Sequence, residues 1–282
     1  MQYVMFAKHL QEWPLARAAG VVAGMGFDGL DLTVRAGGYV LPENVRRDLP
    51  RALATCSDAG LTVPMITTNL VRADAEHGAA IIESAAECGV RELKYGYHTY
   101  REYGGFRALV DQARADLANA AAVAERCGVR LNLHIHSGNF VTANPAVVAQ
   151  LLADHDPAVV GAYIDPGHMV IEGGVDVWRQ GLELLAERAV LMAAKSMGWL
   201  YRPDEGRAGR YVNKMLPFTR GMVDWVAVWR CLLTSGFDGI VSLHGEYQGG
   251  HSWRDLTVDE VIDQTREDFA YLRACREKAQ TV

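Results

Sequence analysis

Short apolar segments alternate with longer amphipathic segments along the whole chain, and the alternation occurs about eight times. The short segments are almost continuously apolar, which is typical of parallel strands with both faces buried. We predict strands at Tyr3–Phe6, Gly29–Val34, Leu61–Thr67, Glu92–Tyr95, Arg130–His136, Val159–Asp165, Ala189–Lys195 and Gly239–His244. We predict helices at Pro42–Ala59, Ala75–Cys88, Phe106–Cys127, Ala146–Asp154, Val175–Arg188, Val223–Ser235 and Val258–Arg276. Repeated strand–helix units with right-handed crossovers predict one domain, a single (β/α)8 TIM barrel over residues 1–282.

Two short sequences each occur twice between a predicted helix and a predicted strand. Gly-Phe-Asp-Gly at Gly26–Gly29 recurs at Gly236–Gly239, and Cys-Gly-Val-Arg at Cys88–Arg91 recurs at Cys127–Arg130. A glycine after a helix permits the left-handed conformation that ends it. Internal duplication and ordinary αβ-loop chemistry both explain the repeats, and both require the same architecture.

The segments that follow the predicted strands are longer than those that precede them, and in a TIM barrel such loops line the functional face. They are Arg35–Leu41, Gly96–Gly105, Ser137–Asn144, Pro166–Gly174, Ser196–Gly221 and Gly245–Leu256. Tyr201–Tyr211 in the fifth loop contains three arginines and two glycines, which is typical of a solvated mobile lid. An anion-binding role is the alternative for Arg202, Arg207 and Arg210.

Composition narrows the class of protein. Of the 282 residues, 50% are hydrophobic, so a large core can form, and the net charge of −6 argues against nucleic acid or anionic membrane as the main partner. The five cysteines are dispersed without CxxC spacing, which favours reduced thiols and a cytoplasmic location. Met1–Leu10 lacks the pattern of a signal peptide, and no apolar run is long enough to span a bilayer.

Ionisable side chains occur at the ends of the last four predicted strands. With a period of two, alternate residues of each strand point to the same side. The residues are Asn132, His134 and His136 on the fifth strand, Asp165 on the sixth, Lys195 on the seventh, and His244 with Glu246 on the eighth. Buried charges are costly unless they are paired or bound to metal, so this convergence predicts a functional site. Structural roles are the alternatives: hydrogen-bonded histidines, a turn cap at Asp165, or a salt bridge between Lys195 and Asp165.

These segments resemble the sugar phosphate isomerase/epimerase family with the xylose-isomerase-like barrel, over nearly the whole chain. The sequences that carry the resemblance are Gly26–Leu32, Asp165-Pro166-Gly167-His168, the strand end at Lys195, and Gly236–Gly239. The resemblance implies one divalent metal, Mn, Zn, Mg or Co, and no nucleotide cofactor. It also implies a small-molecule carbohydrate substrate and, since relatives are often dimers or tetramers, a possible homo-oligomer.

The usual metal ligands of that family are glutamate, aspartate, histidine and glutamate on strands five to eight. At the matching positions this chain has His134, Asp165, Ala193 and His244, so only the aspartate is kept. The chain is more similar to a divergent branch with His in place of the usual Glu ligands, whose relatives are associated with oxidised sugars and glycosides. The matching sequences are His136-Ser137-Gly138-Asn139, Asp165–His168 with Glu172-Gly173-Gly174, Lys195, and Leu243-His244-Gly245-Glu246-Tyr247.

The altered site allows two kinds of chemistry. His134, Asp165 and His244 form a two-histidine, one-carboxylate set of metal ligands. In the alternative without a metal, Lys195 and the histidines act directly, and a neighbouring cation gives Lys195 a depressed pKa.

In either case we expect an isomerase, epimerase or lyase that moves a proton on the carbon beside a keto-sugar carbonyl. His134, Lys195 and Glu246 are the expected catalytic residues. The expected substrate-binding residues are His136, His168, Asn139 and Glu172. A non-catalytic sugar-binding barrel or partner subunit is the alternative, motivated by Ala193. Phosphodiester cleavage is disfavoured because the acidic chain offers no basic groove.

Overall fold

Eight parallel strands close into a barrel in this computed structural model, which describes residues 1–204 and 206–281. Around the barrel the order is β1, β10, β7, β6, β5, β4, β3, β2, and β1 pairs with β10 through Gln2 and Ile240 to close it. The strands are β1 Gln2–Phe6, β2 Gly29–Val34, β3 Thr62–Thr68, β4 Glu92–Lys94, β5 Arg130–His134, β6 Val160–Ile164, β7 Ala189–Ala194 and β10 Ile240–Leu243. The predicted TIM barrel is confirmed.

Helices follow the barrel strands and pack around them. They are α1 Leu15–Gly24, α2 Val45–Asp58, α3 Gly78–Glu87, α4 Phe106–Cys127, α5 Pro145–Leu152, α6 Pro166–Gly173, α7 Val177–Leu185, α8 Trp225–Thr234 and α9 Val258–Gln280. Helix α1 was not among the predicted helices, and α6 lies in a segment predicted as a loop. None of the helices in the described part of the chain has the length and apolarity needed to cross a membrane.

A further pair of strands, β8 Ser196–Asp204 and β9 Arg207–Leu216, forms an antiparallel hairpin outside the barrel. Tyr201–Tyr211, which the sequence places in a loop, therefore lies in a regular hairpin in its described residues, since Ser196 pairs with Leu216 and Tyr201 with Tyr211. Its role as a solvated mobile lid stays a prediction. The arginines and glycines suggested a loop, but cross-strand pairing of aromatic and β-branched side chains favours a sheet. The Arg207 side chain and Glu205 lie outside what the structure describes.

The two Gly-Phe-Asp-Gly sequences adopt the same local structure. Gly26 and Gly236 adopt φ of +85° and +73°, the left-handed conformation that follows a helix. The second glycine of each repeat lies against a neighbouring strand, and a Cβ at Gly29 would come within 2.4 Å of the Thr62 carbonyl oxygen. Loop chemistry is therefore sufficient to explain the repetition.

The core has two parts. A large apolar cluster fills the space between strands and helices and includes Trp225 and Trp229, both buried. Inside the barrel a smaller cluster contains Val4, Met65, Tyr163, Leu191 and Ala193. The inner cluster forms an apolar floor, so polar side chains gather above it at the carboxyl ends of the strands. All five cysteines are free.

Candidate active site

A polar cavity of about 100 Å³ lies at the carboxyl ends of the barrel strands. By this measure it has room for several water molecules or a small polyhydroxylated molecule. This end of a TIM barrel is where active sites are built. The lining residues are Phe6, Lys8, Arg35, Thr67, Lys94, Tyr97, His134, His136, Tyr163, Lys195, His244 and Glu246.

A buried ion pair between Asp165 and Lys195 lies at the centre of the site. Asp165 is fully buried, and its Oδ2 lies 3.0 Å from Lys195 Nζ. The same ammonium lies 3.3 Å from Oε2 of Glu246. The salt bridge between Lys195 and Asp165 that the sequence suggests is therefore present, and Glu246 is a second carboxylate partner of Lys195.

The Asp-Pro-Gly-His sequence fixes this pair. Asp165 caps α6, because its Oδ1 accepts a hydrogen bond of 3.1 Å from the His168 backbone N–H. Pro166 occupies the first helical position, where the missing N–H is not needed. A Cβ at Gly167 would come within 2.7 Å of the Lys195 carbonyl oxygen, so a side chain there would displace the lysine.

Lys195 is a permanent cation rather than a base. Burial disfavours the ammonium, but Asp165 and Glu246 together outweigh burial and raise the pKa of Lys195 above its ordinary value. The expectation of a depressed pKa for Lys195 is wrong, because it did not include two carboxylates in direct contact. At neutral pH the ammonium therefore remains charged inside the barrel.

Both ring nitrogens of His134 are occupied. Nε2 lies 3.0 Å from Asp165 Oδ2, and Nδ1 lies 2.6 Å from the Tyr97 hydroxyl. A carboxylate can only accept, so Nε2–H donates to it and Nδ1 accepts from Tyr97. Burial and the nearby Lys195 lower the pKa of His134 well below its ordinary value. This neutral imidazole positions its neighbours, and its predicted role as a base stays a prediction.

The two ring nitrogens of His136 differ, because Nδ1 is hydrogen-bonded to the backbone and Nε2 is not used by that bond. Its Nδ1–H donates a hydrogen bond of 2.9 Å to the Ser137 backbone oxygen, which leaves the Nε2 lone pair as an acceptor. Burial and Lys195 lower the pKa of His136 to about 4, so the ring is neutral at pH 7. The geometry of a cavity-lining imidazole with a fixed tautomer suits proton abstraction.

His244 and Glu246 face the same cavity, as the strand alternation predicts. His244 Nε2 lies 3.0 Å from the Tyr163 hydroxyl, and its Nδ1 lies 3.6 Å from Glu246 Oε2. Burial and Lys195 lower the pKa of His244 to about 4. Burial alone would raise the pKa of Glu246, but Lys195, His244 and other neighbours lower it well below its ordinary value. Glu246 is an ionised carboxylate, with Lys8 Nζ 2.8 Å from its Oε1.

The expected metal ligands do not fit a metal in this arrangement. The Lys195 ammonium lies against Asp165 Oδ2, where a bound cation would lie, and His134 Nε2 donates to the same oxygen. His244 is turned towards Tyr163. Within residues 1–204 and 206–281, no three His, Cys, Asp or Glu side chains are grouped to hold a metal ion. The metal set His134, Asp165 and His244 therefore stays a prediction, and the geometry favours the alternative without a metal.

Three of the four predicted substrate-binding residues lie outside the lining of this cavity. His168 is buried behind His136, with ring centres 3.9 Å apart, and its Nδ1 lies 2.7 Å from the Ser137 hydroxyl. Asn139 is exposed. Glu172 accepts a hydrogen bond of 2.8 Å from the Gly138 N–H and lines a separate cavity beside α6 and α7. These positions support the His136 loop, and direct substrate contact by these three residues stays a prediction.

Seven residues that line the cavity are not among the predicted site residues, and most of them lie on the first four strands or the loops that follow these strands. The missed lining residues are Phe6, Lys8, Arg35, Thr67, Lys94, Tyr97 and Tyr163. Asp31 interrupts the largely apolar strand β2, and Lys94 is the last residue of β4, whose sequence is Glu-Leu-Lys. The same argument about isolated charges in buried strands could have found Asp31.

Asp31 provides a test of the electrostatics of the barrel interior. Its carboxylate accepts hydrogen bonds from Thr67 and Ser242 at 2.7 and 2.8 Å, and burial raises its pKa to about 6. The folded state therefore binds the proton more tightly than the unfolded chain. This contribution to stability is complete below about pH 4 and is lost as the pH rises to about 6. Asp31→Asn cannot ionise, so its stability relative to wild type should rise by about 2 kcal/mol between pH 4 and 7.

Urea unfolding of both proteins between pH 4 and 7 measures this difference. Asp58→Asn, at an exposed position at the end of α2, is the matched control and should give a constant difference. A constant difference for Asp31→Asn as well would contradict the raised pKa of Asp31.

Residues 20–275 match the family model described as xylose isomerase-like TIM barrel. The chain belongs to this family. The resemblance inferred from the sequence motifs is thereby confirmed.

Solved structures with the same fold include several members described as sugar epimerases. An L-ribulose 3-epimerase aligns with a TM-score of 0.72 and 19% identity over 99% of this chain and 95% of its own. A 3-keto-D-glucoside 4-epimerase from E. coli aligns with a TM-score of 0.69 and 17% identity, over 98% and 100%. A xylose isomerase-like protein from Mycobacterium smegmatis in complex with magnesium aligns with 0.69 and 18%, over 99% and 97%. No curated protein matches the chain.

Proposed function

We propose that this chain is a carbohydrate-active isomerase, epimerase or lyase that moves a proton on the carbon beside a keto-sugar carbonyl. The observation that carries the proposal is the pairing, in one cavity, of a fixed ammonium with a neutral imidazole whose Nε2 is an acceptor. Proton transfer beside a carbonyl needs both an electrophilic group for the oxygen and a base for the carbon acid.

Lys195 is the electrophilic group. Its ammonium is held by Asp165 and Glu246 before any ligand binds, so it needs little reorganisation to meet developing negative charge. In this role it polarises the carbonyl and stabilises the charge that forms on oxygen as the neighbouring proton leaves. Asp165 and His134 position the ammonium.

His136 is the base in this scheme. Glu246 was the sequence-based candidate together with His134, but the oxygens of Glu246 face Lys195 and Lys8. Because both oxygens of Glu246 are engaged by ammonium groups, Glu246 is better suited to fixing Lys195. His136 Nε2 takes the proton, and Asp165 and Glu246 offset part of the effect of burial and Lys195 on the imidazolium that forms.

The subsequent step separates the three reaction classes. Return of the proton to the opposite face gives an epimer, its return to the neighbouring carbon gives an isomer, and loss of a β-substituent gives an unsaturated product. The epimerases among the structural neighbours support a carbohydrate ligand, and a homo-oligomer is part of the proposal. Neither a metal nor a nucleotide takes part in these steps.

Solvent-deuterium exchange tests the proposal directly. The purified protein is incubated in D2O with methyl 3-keto-β-D-glucoside, and separately with D-fructose, and proton NMR follows the signals beside the carbonyl. We expect one of these signals to disappear with wild-type protein and to persist without protein. Binding without exchange for every ligand tried would overturn the proposal and favour the non-catalytic sugar-binding barrel.

A further inference from the structure

A second buried lysine, Lys94, lies at the carboxyl end of β4 and lines the same cavity. Only 2% of its surface is exposed. None of the steps proposed above uses Lys94. Burying a polar side chain costs free energy unless it is hydrogen-bonded or paired, so the contacts of Lys94 determine whether it is charged and what it can bind.

The contacts of Lys94 differ from those of Lys195. Its Nζ donates one hydrogen bond of 3.2 Å to the Thr68 backbone oxygen and lies 3.5 Å from the centre of the Tyr97 ring. Lys195 has two carboxylates within 3.3 Å. For Lys94 no ion pair forms with any carboxylate in the part of the chain that the structure describes.

The charges around Lys94 favour the neutral amine. Burial and the cations Arg35 and Lys195 lower the pKa of Lys94 well below its ordinary value, and Asp31 only partly opposes them. A neutral amine on a flexible stem is a nucleophile towards carbonyl carbon, whereas an ammonium is not. The two buried lysines therefore differ: two carboxylates hold Lys195 as a cation, whereas burial and neighbouring cations shift Lys94 towards the neutral amine.

We propose that Lys94 captures the carbonyl carbon of the keto-sugar as an imine. The proposal rests on the proposed function for its substrate class and adds a covalent intermediate to it. The geometry that carries it is an amine without a carboxylate partner at the wall of the cavity that also contains Lys195 and His136.

The atoms balance without any redox step. The Nζ lone pair forms a C–N bond as the carbonyl π pair moves to oxygen, beside the Lys195 ammonium. Transfer of a proton from nitrogen to that oxygen gives a carbinolamine. Loss of the hydroxyl together with the remaining N–H proton, as water, leaves the imine. Once protonated, the imine draws electrons more strongly than the carbonyl it replaces, so the neighbouring C–H becomes more acidic.

Borohydride trapping tests this inference. Wild-type protein is incubated with methyl 3-keto-β-D-glucoside, reduced with sodium borohydride, digested and mapped by mass spectrometry. Reduction converts an imine into a stable secondary amine, so we expect one adduct per chain, on the peptide that contains Lys94. Lys94→Met and Lys94→Arg should lose the adduct, and circular dichroism checks that both variants fold.

Lys278→Met, at an exposed position near the end of α9, is the matched control and should trap ligand as wild type does. An adduct that persists in Lys94→Met, or no adduct in wild-type protein that demonstrably binds the ligand by calorimetry, would overturn the imine. Because the trapping experiment on wild-type protein needs no substitution, misfolding of a variant cannot obscure this outcome.

Deuterium exchange separates this inference from the proposed function. Exchange at the wild-type rate in folded Lys94→Met would overturn the imine and leave the proton-transfer function intact. Trapping at Lys94 in a wild-type protein that shows no exchange would retain the imine and overturn the proton-transfer function.

Discussion

Replacing Lys195 with methionine is expected to destabilise the protein by about 3–5 kcal/mol and to lower the rate of deuterium exchange at least about 100-fold. The stability loss arises because Asp165, which is fully buried, and Glu246 would lose the ammonium that neutralises them. The rate loss arises because no other group in the structure is held as a cation between these two carboxylates. Urea unfolding measures the first effect, and proton NMR in D2O measures the second.

The double variant Lys195→Met, Asp165→Asn separates the two effects. Asparagine can still cap α6 but carries no charge, so the double variant should recover part of the lost stability and none of the exchange. If Lys195→Met were as stable as wild type, the buried ion pair would not be the electrostatic centre of the site.

His136→Gln is expected to lower the exchange rate by about 100- to 10,000-fold, which is the usual effect of removing a general base. Its effect on stability should be small, because the ring makes one hydrogen bond, to the adjacent residue, and is only partly buried. Initial exchange rates at saturating methyl 3-keto-β-D-glucoside give the comparison.

His155→Gln is the matched control. His155 is also a partly buried histidine, but it precedes β6 and so lies at the opposite end of the barrel. Its substitution should leave exchange unchanged. Exchange by His136→Gln at the wild-type rate would remove His136 as the base and return Glu246 or His134 to that role.

The barrel could be predicted from the sequence because its strands are buried on both faces and therefore read as unbroken apolar segments. Gly29–Val34 and Phe106–Cys127 have the predicted bounds. The hairpin of β8 and β9 was missed because its stability depends on pairing between Ser196–Asp204 and Arg207–Leu216, which no local pattern reveals. The short α6 was missed because Asp-Pro-Gly is equally typical of a turn.

The convergence of ionisable groups could also be predicted, because strand alternation determines which side chains point into the barrel. Their roles could not. The pKa of Lys195 rises only because two carboxylates lie within 3.3 Å, and this distance is not encoded in any motif. His134 loses its free nitrogen to Tyr97, a contact between the end of β5 and the loop after β4. Lys94 lies on a strand of only three residues, too short for its periodicity to be recognised.

Lys195 is the single residue between the end of β7 and the start of β8. The chain therefore passes from the barrel into the hairpin through this one residue. The pairing of Ser196 with Leu216 anchors the hairpin immediately beside it. Adding or removing residues at the far tip of the hairpin can therefore change the hairpin while the ammonium keeps its place. A one-residue insertion at the junction itself would reverse the pleat and turn the ammonium out of the barrel. The hairpin can thus vary in length and sequence without altering the charged centre of the barrel.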